Sequence, residues 1–358
     1  VAQMNLARLA LVQGELDQAA EAYKEVLKLD SKHVGAMLGL ASLARARNEP
    51  DEAEGWLLKA NQANPEALQP ILLLAEMYLR ENEGLKASNM LSGLTPAQAD
   101  LPAVLRLKGM AQLQTGDFAS SIYTLKKLTE QHPMLMEGWF QLARAQAASG
   151  DSSASRKSFE RAIAMDSEHR VPVVWVGLAE LELREGRYDE ALKIAQQIKE
   201  HFPDNVLGYD IEAAAHRGKG QTDQALAAAE AALRMDGSSR RAIGYARSLA
   251  SAGKTSEADA ELQAWLEKNP TDGKAWASLG MMQQQAGNDV EALQAYEKSI
   301  EHVDPGPVIL NNMAWLYLER AGRRAAELAT QAYELAPSRA EIVDTYGWVL
   351  FKQGRKSD

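Results

Sequence analysis

The six histidines, His33, His132, His169, His201, His216 and His302, are the side chains best suited to metal binding or proton transfer near neutral pH. No two of them stand three or four residues apart, so no helix face presents a pair of ligands. The chain has no cysteine, which excludes disulfides, thiolate metal sites and a cysteine nucleophile. It contains no G-x-S-x-G nucleophile elbow, no H-E-x-x-H zinc motif and no Walker loop. The short glycine pair in Gly218-Lys219-Gly220 reads as a turn, not as a phosphate cradle. These residues predict no catalytic, cofactor-binding or metal site, and no enzyme activity.

What remains is the chemistry of surfaces. Over 358 residues, 39 basic and 49 acidic side chains leave a net charge of −10. That balance argues against a general nucleic-acid partner, which needs a basic footprint. Hydrophobic residues make up 46% and aromatics only 6%, a composition that favours close-packed helices over sheets. No apolar run is long enough to span a bilayer. The opening Val1-Ala2-Gln3-Met4-Asn5 is not a signal peptide, and the chain reads as a piece of something longer.

The elements that would carry such a surface follow from a repeat. Ala7, Ala41, Ala75, Gly109, Ala143, Ala179, Ala213, Ala246, Gly280, Ala314 and Gly347 form a ladder with steps of 33 to 36 residues, mostly 34. A second small-residue series runs twelve residues behind it: Ala19, Ala53, Ala87, Ser121, Ser155, Ala191, Ala225, Ala258 and Ala292. Between the two lie turn signals such as Gly116-Asp117 and Gly150-Asp151. The pattern predicts antiparallel helix pairs whose small residues let the backbones approach closely. Pro65, Pro133, Pro203, Pro270, Pro305 and Pro337 follow second helices, while Pro102, Pro172 and Pro307 open first helices. Pro96 alone is off pattern, so the second helix of the third repeat should stop near Leu94.

This ladder resembles the tetratricopeptide repeat (TPR) family along the whole chain. The ninth repeat is the best match, with Trp276, Leu279-Gly280, Ala292, Tyr296 and Pro305. The resemblance implies an all-α, right-handed superhelical solenoid of about ten and a half repeats forming one continuous array. Its repeats would run 1–33, 34–67, 68–101, 102–135, 136–171, 172–205, 206–238, 239–272, 273–306 and 307–339, with a half repeat at 340–358. Irregular joints are expected at Leu94–Pro102 and Asp166–Pro172, and a one-residue loss around Ala321-Gly322. The stretches Leu310–Leu316, Ala332–Pro337 and Asp344–Trp348 are further similar to large bacterial repeat lipoproteins that accompany exosortase (PEP-CTERM) sorting and exopolysaccharide production. That likeness implies a periplasmic or outer-membrane-associated protein with a lipid-anchoring cysteine upstream of Val1; a cytoplasmic chain is the alternative.

In this family the first helices line a concave groove. The positions six before, three before, one after and four after each ladder residue share the helix stripe that would face it. Here the stripe holds eight basic residues (Arg8, Arg45, Arg106, Arg144, Arg217, Arg240, Arg247 and Lys274) and six acidic ones (Glu76, Glu137, Glu180, Asp210, Glu341 and Asp344), a net +2 in a chain otherwise at −12. Arg106, Arg144, Arg217 and Arg247 are the candidate contacts for an extended peptide or protein ligand; equally, they would serve to knit one first helix to the next. Trp315 and Trp348 are candidate anchors in a partner, or residues that further repeats would cover. Asn312, like Asn5, stands two residues before the ladder, where a family member's amide commonly bonds a bound peptide's backbone. The residues thus imply a protein-binding scaffold. A structural spacer whose ends do the docking, or the repeat region of a larger enzyme such as a glycosyltransferase, are the alternatives.

Overall fold

The computed structural model describes residues 2–166, 168–318 and 322–352. They form 22 helices and, among the described residues, no strand. The chain divides into two compact units, 1–181 and 182–358. In unit 1 the helices run α1 (Ala2–Gln13), α2 (Leu16–Leu29), α3 (Val34–Ala46), α4 (Pro50–Ala63), α5 (Leu68–Arg80) and α6 (Gly84–Ser92). The short α7 (Pro96–Ala99) follows, then α8 (Pro102–Gln114), α9 (Phe118–Gln131), α10 (Met136–Ala148), α11 (Ser152–Met165) and most of α12 (Pro172–Arg184). Unit 2 continues with α13 (Tyr188–His201), α14 (Leu207–Gly218), α15 (Thr222–Met235), α16 (Ser239–Ser251), α17 (Thr255–Lys268) and α18 (Gly273–Gln285). It closes with α19 (Asp289–Ile300), α20 (Pro307–Tyr317), α21 (Gly322–Leu335) and α22 (Ala340–Lys352).

Each pair is made where the two small series meet. Ala7, Ala75, Ala143, Ala246 and Ala314 are fully buried, as are Ala19, Ala53, Ala87, Ala258 and Ala292. Where serine replaces alanine, its hydroxyl is answered by the partner helix. Ser121 Oγ donates to the carbonyl of Gly109 at 2.7 Å, and Ser155 Oγ to that of Ala143 at 2.8 Å. Both acceptors are the ladder residues of their own repeats, so a polar atom enters the tightest contact without losing its partner.

The turns inside the pairs need a left-handed residue, which glycine adopts without strain. Gly116 (φ 81°) and Gly150 (φ 88°) supply it after α8 and α10; in the second and third repeats Asn48 (φ 60°) and Asn82 (φ 62°) do so instead. Gly220 is the left-handed residue of Gly218-Lys219-Gly220, confirming a turn.

Cores run from pair to pair. Leu57 of α4, Leu74 of α5 and Leu107 of α8 are all buried to within 1% in a single cluster. A fully buried leucine contributes about 1.5–3 kcal/mol, so each repeat depends on its neighbours for stability. At some joints a glycine opens a notch for a ring from the preceding second helix. Phe159 of α11 occupies the space above Gly177 of α12, where an added Cβ would meet its Cε1 at 2.6 Å. Tyr23 of α2 fills the corresponding notch over Gly39 of α3.

The expected irregular joints are present. α6 ends at Ser92, and Thr95 opens α7 with a reciprocal cap: its Oγ1 accepts from Gln98 N at 3.3 Å, and its N–H donates to Gln98 Oε1 at 3.1 Å. Pro96 occupies the first turn of α7. At the second joint the buried Asp166 carboxylate accepts from the N–H groups of Arg170 and Val171, each at 2.9 Å. The expected loss near Ala321 falls on a residue outside those described, as does everything after Lys352.

Candidate functional site

The first-helix arginines have different fates. In unit 1, Arg106 of α8 places Nη2 2.9 Å from Glu76 Oε1 of α5, which ties two consecutive first helices together. Arg144 of α10 is exposed and donates to Gln141 Oε1 at 3.0 Å, and Gln141 in turn donates to Glu137 at 2.7 Å. Arg106 therefore has the knitting role weighed from its spacing. Arg144 keeps an open face above the Phe140 ring, 5.8 Å from its centroid.

In unit 2 the structure brings Arg217 of α14 and Arg247 of α16 to one recess of about 200 Å³, together with Arg240, Arg241 and Asp210. Arg217, Arg240 and Arg247 are exposed and have no ion-pair partner among the described residues. Arg241 differs. Its side chain is only 10% exposed, with Nη2 3.0 Å from Asp210 Oδ2, and Nη1 bonded to Asp236 and, at 3.2 Å, to Ser238 Oγ. Two carboxylates thus hold the inner arginine, and the three outer ones, which have no ion pair of their own, leave the cluster of four Arg and two Asp at a net +2. Arg241 lies one residue off the chosen stripe, so periodicity passed it over. The signal that would find it is the Arg240-Arg241 doublet four and five residues after Asp236.

Arg247 also borders a larger cleft of about 590 Å³ between α16, α17 and α18. Ile243, Met281 and Met282 make its apolar wall, Thr255 and Ser256 its hydroxyl rim. Asp259 stands in the same cleft, where burial pushes its carboxyl above the usual range while a hydrogen bond from Gln283 pulls the other way.

The remaining candidates sit elsewhere in unit 2. Asn312 Nδ2 donates to Tyr296 Oη at 3.1 Å, and that hydroxyl donates to Gln284 Oε1 at 2.8 Å. The position two before the ladder therefore faces the preceding second helix, and the amide is engaged in the joint. Burial pushes the Tyr296 phenol up, with the Asn312 bond as a smaller opposing influence. Trp315 is 52% exposed, Trp348 43% and Phe351 51%. Trp348 and Phe351 stack with centroids 5.5 Å apart and planes at 23°.

Two of the histidines have structural tasks. His33 Nδ1 accepts from Ala36 N at 3.1 Å as the cap of α3, and His216 Nδ1 lies 2.8 Å from Gln221 Oε1. Among the described residues no three His, Asp or Glu side chains converge as metal ligands, and no helix is long and apolar enough to cross a membrane.

Two family models, both described as tetratricopeptide repeat, match the chain, one over residues 4–67 and 140–206 and the other over 216–281. Together they cover more than half of it. No curated protein matches the sequence. Among solved structures, yeast Tom70 is 12% identical with a TM-score of 0.54 and aligns over 99% of this chain and 88% of its own. The human IFIT1 dimer with m7Gppp-AAAA is 18% identical, with a TM-score of 0.51 over 99% and 90%. PilW, a widely conserved type IV pilus biogenesis factor, is 17% identical, with a TM-score of 0.51 over 59% of this chain and 96% of its own. At such identities the likeness carries the fold alone.

Proposed function

Because this chain belongs to the tetratricopeptide repeat family, we propose that it is a non-enzymatic scaffold that binds an extended segment of a protein partner along its first helices. The observation that supports this most is the charge contrast in unit 2. Arg217, Arg240 and Arg247 stand exposed and unpaired in a chain whose net charge is −10. One exposed ion pair is worth only about 0–1 kcal/mol, but several acting on one ligand set its orientation and its association rate.

The test is site-specific photocrosslinking in the native host. A benzophenone side chain at Arg144 or Ser251, on first helices, should capture the partner, and capture should fall as salt rises. The same group at Tyr123 or Glu200, exposed on second helices, should capture little. The reverse pattern rejects the scaffold reading in favour of a spacer that docks through other surfaces, for which the exposed Trp348–Phe351 stack is the best candidate.

The finer reading sets this scaffold in a bacterial envelope protein-sorting or exopolysaccharide system, at the periplasm or outer membrane, with a lipid anchor upstream. It rests on the resemblance of 310–316, 332–337 and 344–348 to such lipoproteins. The full-length gene should then encode a lipobox, and fractionation should place the protein with the envelope; a purely cytoplasmic protein overturns it.

A further inference from the structure

The arginine recess and the neighbouring cleft share Arg247, and both lie wholly within unit 2. One offers three exposed guanidinium groups with no ion pair of their own; the other offers half-buried Ile243, Met281 and Met282. The inner guanidinium of Arg241 adds a buried Nε without an acceptor. Cationic and apolar surfaces meeting at one shared residue form a two-part receptor.

We infer that this receptor takes an extended segment of a partner protein in which one internal acidic side chain stands two positions from a large aliphatic or thioether side chain. The acid would enter between Arg217, Arg240 and Arg247, and the apolar residue would lie against Ile243, Met281 and Met282. The inference rests on the scaffold reading and names the motif that the scaffold reads. The spacing of two is part of the inference, chosen because residues i and i+2 of an extended chain point the same way, about 6.5–7 Å apart, and the two recesses adjoin at Arg247. A chain bound through Arg247 thus addresses both recesses at once. Thr255 and Ser256 at the rim supply hydroxyls for its main chain. The positive charge is confined to the recess, whereas Asp259 stands in the cleft and opposes a polyanion with a charge at every step. Arginine is suited to the acid because its planar fork binds a carboxylate bidentately.

The experiment is selection of a phage-displayed random nonapeptide library on the full chain, followed by fluorescence anisotropy with the enriched peptides. Enrichment of Asp or Glu two positions from Leu, Ile or Met is expected. Replacing the acid by its amide should weaken binding about tenfold or more, and Arg217→Ser with Arg247→Ser should do the same. Met281→Ser should erode the apolar preference and leave the acidic one. Circular dichroism of each variant should match wild type, because these side chains are exposed or half-buried. Peptides lacking the acid–apolar pair, or binding untouched by the arginine substitutions, overturn this inference and leave the scaffold reading standing. Binding lost on amidating the peptide's C-terminus also overturns it, since the acid would then be a chain end. A single-stranded oligoadenylate that outcompetes every peptide overturns it in favour of nucleic acid. Failure to enrich any peptide on the folded chain sinks both readings.

Discussion

Arg106 on α8 and Glu76 on α5 meet at 2.9 Å, a bridge between consecutive first helices. Its side chains are 23% and 40% exposed, so it belongs with surface ion pairs in energy. A double-mutant cycle of Arg106→Ser and Glu76→Gln should give a coupling of about 0–1 kcal/mol, read from urea midpoints. Partner binding should be indifferent to Arg106→Ser while responding to Arg217→Ser. Equal loss of binding from both would return Arg106 to the ligand surface.

Ala143 is fully buried, and its carbonyl accepts the Ser155 hydroxyl. Ala143→Leu forces α10 away from α11 and should lower stability by about 1–3 kcal/mol. A wild-type thermal melt for this variant would mean that close approach is not what the small ladder serves.

Ser155→Ala removes a donor but leaves no donor stranded, because the methyl matches the residue found elsewhere in the series. The expected change is about 0.5–1.5 kcal/mol at most. Ser155→Val, which adds bulk at the same contact, should cost more than Ser155→Ala. The order of their denaturation midpoints decides the point.

Asp166 holds the long joint by accepting from Arg170 N and Val171 N, and it is 7% exposed. Asp166→Ala strands two N–H groups, a penalty of about 1–3 kcal/mol each if they stay dry. Limited proteolysis should show faster cleavage between α11 and α12. Unchanged cleavage kinetics would count against the cap.

Asp259 carries a carboxyl whose folded pKa is raised, with burial as the main cause. The sign is that of a group whose charged form folding disfavours. Asp259 weakens the fold at neutral pH, and this is relieved as pH falls through its folded pKa. Asp259→Asn should therefore hold or raise Tm at pH 7 and flatten the rise in Tm on mild acidification. It should also tighten binding of a peptide whose apolar side chain lies in the cleft and whose acid lies in the adjoining recess. A lower Tm at pH 7 together with weaker peptide binding would contradict both expectations.

The helix pairs were legible because their determinants are local. Prolines at 50, 102, 172 and 307 each start a helix, and Pro96 marks the joint where α6 stops and α7 begins. Glycine and asparagine turns were half legible: Gly116 and Gly150 announced themselves, whereas Asn48 and Asn82 do the same work without a glycine's signature. The charged face is less legible, since a periodic stripe gives direction but not partners. It separated neither Arg106, which Glu76 occupies, from Arg217, which nothing occupies, nor Asn312 from the Tyr296 hydroxyl it serves. Those distinctions depend on which side chain of the next repeat lies opposite, a relation between residues 16 to 30 positions apart.

The rings of Tyr23 and Phe159 in the notches above Gly39 and Gly177 make those joints keyed by size. A first helix carrying any side chain at the notch position cannot follow a second helix that presents such a ring without displacing it. Modules at these joints are therefore not freely exchangeable, although their lengths are similar. Shuffling or duplicating units at these joints would succeed only when ring and notch travel together, so here the order of the array is written into the boundaries between its parts.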